Sequence, residues 1–314
     1  MRPAGPVTRT FSPLSMVVIF DQSGAGGQDV PVGSAIESSL DDLLAAIDVR
    51  RCGDDRFTID PPASSVPERV LGGQLLAQAV VGAAATVEGK DIHSLHAAFV
   101  KAGTTGVPVE VVVTRVRDGR SMATRQVTVL EKGETLLVAI ASFGTNRSDP
   151  EVAVSPGETG PPEEVPLLQE WAAAASTGQR WIDRPPAVEM RLPESPSFFT
   201  GATASTPRSH WMRLPRTVGD SHARNAALLA YASDYFLMDM IFRLHPEELG
   251  PGRANGLSLD HAIWFHRRVR FDAWHLYTQE AVAIVGDRGV ARGVIHDADG
   301  ALIATVAQEV LLRL

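Results

Sequence analysis

Three polar side chains in this 314-residue chain stand where apolar ones are expected. Asp234 lies among Leu, Tyr, Phe and Met in the middle of the helix-like run 226–238. A carboxylate there can accept a proton, but its charge is costly to bury without partners, and Asp is a weak helix former. It is either a structural acid satisfied by a neighbouring hydroxyl or amide, or a group that does acid–base work; the residue alone leaves both open. Ser258 opens the strand-like segment 258–265, where alternation puts it on one face with Asp260 and Ala262. Taken by itself it reads as a strand-end serine facing solvent. Gln308 interrupts the apolar run 302–307 just as that strand ends, and a carboxamide both donates and accepts hydrogen bonds.

Other chemistries lack their residues. No Gly-x-Ser-x-Gly elbow or Walker loop occurs, and the Gly24-Ala-Gly-Gly segment lacks the third glycine of a dinucleotide loop. His93 and His96 are three apart in a strand-like stretch, so they face opposite sides and do not share a metal; His261 and His266 fail in the same way. No metal site is expected.

Two segments of the chain nearly repeat one another. Residues 93–143 and 258–309 each pair a His-rich strand with further strands divided by Asp-Gly or Lys-Gly turns, a hairpin signature. Each is preceded by a helix with almost no polar face, over 73–85 and 226–238, and such a helix is buried on most sides. The Gly72–Gly73 pair marks the start of the first, and Asp220–Ser221 supplies the cap of the second. A helix followed by an antiparallel meander, made twice, predicts an α+β double hotdog: two long buried helices, each wrapped by an antiparallel sheet. The predicted parts are a poorly ordered extension over 1–37, a first hotdog over 38–146, a Pro-rich acidic linker over 147–186 with a short helix near 167–175, and a second hotdog over 187–314. Ser39 is the expected N-cap of a further helix near 40–47.

Composition bounds the partners. Hydrophobic residues at 44% and charged residues at 21% are ordinary for a globular protein, so a packed core is expected. A net charge of −8 without a basic run argues against nucleic acid or an anionic membrane surface. The single cysteine, Cys52, excludes an internal disulfide and fits a reducing compartment. No apolar run approaches the roughly 20 residues that cross a bilayer, so a cytoplasmic location is expected.

Through Gly72-Gly-Gln-Leu-Leu-Ala-Gln-Ala79, Arg117-Asp-Gly-Arg120, Tyr231-Ala-Ser-Asp234, Leu259-Asp-His-Ala-Ile-Trp-Phe-His-Arg267 and Val306-Ala-Gln-Glu309, in order across 39–314, the chain bears a resemblance to the acyl-CoA thioesterase II family of double-hotdog enzymes. The resemblance implies hydrolysis of an acyl-CoA to a free acid and CoA, without cofactor, in a homo-oligomer. It also implies that Asp234, Ser258 and Gln308 hold the nucleophilic water. Backbone amides at the first helix's N-terminus, near Gly73 and Gln74, are then the expected oxyanion donors. The chain departs from the family at Lys101-Ala-Gly-Thr-Thr105, beside the expected acyl entrance, which bears on substrate preference more than on chemistry. The alternatives are a non-catalytic acyl-CoA binder and a hotdog enoyl-CoA hydratase, whose Gly-Asp-x-Asn-Pro-x-His motif is absent.

Overall fold

The structure is a computed structural model that describes residues 31–62, 68–145, 152–201, 206–244 and 256–313. Most of the predicted extension, with its Gly24 segment, lies outside the described residues. The first half comprises α1 (Val32–Ala46), β1 (Arg50–Gly53), β2 (Arg56–Ile59), α2 (Gly72–Ala84), β3 (Asp91–Phe99), β4 (Val109–Asp118), β5 (Met122–Glu131) and β6 (Glu134–Gly144). Two short helices follow, α3 (Leu168–Ala174) and α4 (Gln179–Asp183), then β7 (Glu189–Arg191), α5 (Ser197–Thr200) and β8 (Arg208–Arg213). The second half continues with α6 (His222–Ser233), α7 (Leu237–Phe242), β9 (Gly256–Ser258), β10 (Asp260–Phe265), β11 (His275–Val285), β12 (Arg288–Asp297) and β13 (Leu302–Leu312).

Thirteen described strands form one antiparallel sheet in the order β1-β2-β4-β5-β6-β3-β10-β13-β12-β11-β8-β7, with β9 on β13. The joint between the halves is the repeat itself. β3 pairs antiparallel with β10, so that Leu95 faces Ile263 and Ala97 faces His261. Two copies of one strand thereby close each other's edge, which removes two rows of unpaired backbone groups. Helices α2 and α6 pack against each other beneath this seam.

The helices differ from the expectation of two long ones, each in its own sheet. α2 has 13 residues, α6 has 12, and the sheet is continuous across both. α6 stops at Ser233, so Asp234 is its C-cap rather than a mid-helix residue. Phe236 then adopts a left-handed conformation (φ +67°) before α7 begins. A bulky residue pays a steric penalty there, and the aromatic rings of Trp181, Phe198 and His210 pack around Phe236 to hold it. At the other end of α6 the Ser221 hydroxyl accepts from the Arg224 amide, as its type predicts. The first helix also begins earlier than Ser39. Its buried stripe of Ile36, Leu40, Leu43 and Ala46 has helical spacing and carries the start back to Val32, inside the predicted extension.

Glycine sets the distance between the central helices. A Cβ on Gly73 would lie 2.3 Å from the carbonyl oxygen of Tyr231, closer than non-bonded atoms come. Gly73→Ala therefore forces α2 away from α6. It should cost about 1–3 kcal/mol of stability, the range for overpacking, and should lower turnover as well. A thermal melt and steady-state rate both at wild-type values would show that the helices can part without consequence.

Candidate active site

The N-terminus of α2 meets the C-terminal end of α6 at a single polar cluster. Gly73 N–H donates to Asp234 Oδ2 at 2.9 Å. The amides at a helix N-terminus carry partial positive charge, so α2 is aimed at a carboxylate. A Cβ on Gly72 would sit 3.0 Å from both that oxygen and the Phe99 ring, so a side chain there would press on the carboxylate and the ring together. Asp234 is half-buried, which leaves it reachable by a small molecule such as water. Burial raises its pKa above the ordinary value, opposed by His261, the Gly73 amide and a hydrogen bond from Gln308.

Ser258 and Gln308 lie in the same cluster, both nearly fully buried. Gln308 Nε2 donates to Ser258 Oγ at 2.8 Å. Gln308 is in the interior of β13, not at its end, and its side chain shares the buried face with Val306 and Val310. Ser258 does not share a face with Asp260, contrary to simple alternation. Ala262 opposes Ala307 while Ser258 opposes Val310, so four residues of chain on one side match three on β13. This is a bulge at Leu259. It turns Ser258 inward, leaves Asp260 outside to accept from the Glu309 amide, and re-aims the hydroxyl toward Gln308.

The cluster contains a residue that the sequence reading passes over except as a poor metal ligand. His261, 1% exposed, approaches Gln308 Oε1 through Nδ1 at 2.6 Å and Ser233 Oγ through Nε2 at 2.9 Å. The bulge is what brings it onto the face of Ser258, so no regular period could have predicted the pair. Its one available signal is being a polar residue at a position where β10 alternates inward with Ile263 and Phe265. Burial lowers its pKa, opposed by the nearby Asp234. The end of α6 is tied down by tyrosine and glutamine: Tyr277 Oη donates to Ser233 O and Gln279 Nε2 donates to Tyr235 O.

The two expected oxyanion donors are otherwise engaged. Gly73 N–H serves Asp234, and Gln74 N–H donates to Leu71 O at 3.0 Å within the first turn. In this structure Gly73 N–H thus holds the carboxylate and Gln74 N–H closes the first turn of the helix. No group of three or more His, Cys, Asp or Glu among the described residues is arranged to hold a metal ion.

The N-terminal domain of the acyl-CoA thioesterases matches residues 59–144 and their C-terminal domain matches residues 157–312. The chain belongs to the acyl-CoA thioesterase family. Acyl-coenzyme A thioesterase 8 of Rattus norvegicus is 31% identical over 261 residues, which is 78% of this chain and 81% of that relative. The crystal structure of an acyl-CoA thioesterase II from Mycobacterium marinum superposes with a TM-score of 0.68 at 27% identity, covering 86% of this chain and 98% of that one. A hot dog fold protein from Alicyclobacillus acidocaldarius, 21% identical, superposes with a TM-score of 0.69 over 87% of this chain and 98% of its own, which bears on the fold alone. The thioesterase is thus a hotdog protein of a thioester hydrolase family. No helix among its described residues is long and apolar enough to cross a membrane.

Proposed function

We propose that this thioesterase hydrolyses acyl-CoA by direct attack of a water held between Asp234, Ser258 and Gln308. The observation that carries the reading is the convergence of these three groups at the α2–α6 junction, where Gln308 Nε2 donates to Ser258 Oγ and the Gln308 carboxamide lies close enough to Asp234 to hold its pKa down. A carboxylate offers about four lone-pair sites, and the amide of Gly73 and the carboxamide of Gln308 leave room on Asp234 for a water. Ser258 Oγ accepts from Gln308, so its own hydrogen is free for a further partner.

The reaction balances without a covalent acyl-enzyme. Asp234 takes a proton from the water as its oxygen bonds to the thioester carbonyl carbon. The C–S bond then breaks, and the proton on Asp234 passes to the departing thiolate of CoA. Fixing the water in line with the carbonyl replaces the entropy of a bimolecular encounter with a built geometry, and the raised pKa of Asp234 makes it a better proton acceptor than an ordinary aspartate.

Thiol release across a panel of acyl-CoA chain lengths tests the proposal. Free CoA should appear continuously for at least one thioester, with acid in equal amount and no acyl adduct on the protein by mass spectrometry. Stoichiometric binding with no CoA released from any member of the panel would make the chain a binder and overturn the reading.

A further inference from the structure

We infer that His261 is a positioning residue whose imidazole fixes which way the Gln308 carboxamide faces, and so which groups the water meets. The inference rests on the proposed role of Gln308 and goes beyond it. The two ends of a carboxamide are nearly the same size, so packing alone does not choose between two orientations half a turn apart. In one, the NH2 faces Ser258 and Asp234 and the oxygen faces His261. In the other, the oxygen confronts the Asp234 carboxylate.

His261 decides between them through its proton. Burial holds the ring neutral by lowering its pKa, so it carries one N–H. With that hydrogen on Nδ1, the 2.6 Å contact is a donation to Gln308 Oε1, and both amide hydrogens are left for Ser258 and Asp234. With the hydrogen on Nε2, Nδ1 becomes an acceptor and favours the reversed amide. Ser233 meets the ring from the far side. Its hydroxyl hydrogen has two acceptors within reach, Ala230 O and His261 Nε2, each at 2.9 Å. Donation to Nε2 leaves the ring hydrogen on Nδ1. Because Ser233 immediately precedes Asp234, the end of α6 supplies both the carboxylate and the group that orients its partner.

Two measurements test this. In protein labelled with 15N-histidine, the neutral His261 ring should carry its hydrogen on Nδ1; an Nε2–H tautomer overturns the inference whatever the kinetics show. The second is a cycle of His261→Leu and Gln308→Ala. Alone, His261→Leu should lower kcat by up to the roughly 10²-fold that a 1 Å misplacement of reacting groups can cost, with KM moving little. In the Gln308→Ala background the same change should alter kcat within about twofold, as if its target were already gone. His261→Asn, whose amide nitrogen falls near the position of Nδ1, should recover most of the loss. Equal losses in both backgrounds, or no rescue by Asn, would make His261 a structural residue. If Gln308→Ala itself keeps wild-type turnover, the role of Gln308 fails instead, and the two failures are told apart.

Discussion

Asp234→Asn is expected to lose roughly 10²–10⁴ of kcat, the contribution of a positioned acid–base group, while melting no lower than the wild type at neutral pH. The first effect follows from removing the proton acceptor. The second follows from the direction of the pKa shift. Burial raises the Asp234 pKa above its unfolded value, with the Gly73 amide, Gln308 and His261 only partly offsetting it. A carboxyl shifted upward contributes its full stability below the unfolded pKa and loses it as pH rises through the folded pKa. At neutral pH the wild type therefore carries an ionised group that its surroundings disfavour, and the amide does not. The same shift places the acid limb of kcat/KM above the ordinary aspartate value of about 3.9. A well-folded Asn variant with near wild-type turnover would remove Asp234 from the reaction. A large fall in melting temperature would mean that its charge supports the fold.

The conflict between stability and chemistry at Asp234 is the kind of local inconsistency that sequence can reveal. An acid in the apolar run 226–238 and a carboxamide on the inward face of β13 are legible because they break a pattern. The repeat is legible for the opposite reason, since two segments obey one pattern, and it foretells that β3 and β10 are equivalent strands. The geometry that joins the groups is not legible. Composition runs unchanged from α6 through Phe236 into α7, so nothing in the run marks where the helix ends; that is set by rings from Trp181, Phe198 and His210. The bulge at Leu259 is equally silent, because one extra residue leaves hydrophobicity unaltered while reversing which side chains face inward. Ser258 consequently reads as solvent-facing, and His261 as an unsuitable metal ligand, until both strands are in register with β13.

Ser258→Ala and Gln308→Ala separate a shared water from two independent structural roles. Gln308 links the pair, donating to Ser258 Oγ and opposing the upward pKa shift of Asp234. Each alanine variant alone should cost much of the rate, since a water that loses one of its fixed neighbours spends most of its time out of line. The double variant should be scarcely worse than the worse single one, the non-additivity of groups that act as a unit. KM should move less than kcat, because neither side chain is assigned to holding CoA. Structural damage would behave differently. Both residues are buried, so Gln308→Ala opens a cavity and leaves Ser258 Oγ and His261 Nδ1 without their Gln308 partner, at about 1–3 kcal/mol for each unsatisfied group. That loss belongs to the melting curve and not to kcat measured on the folded fraction. Independent, additive losses in kcat/KM across the cycle would sink the shared water even if Asp234 proved essential, and would leave Asp234 to activate a water that it positions by itself.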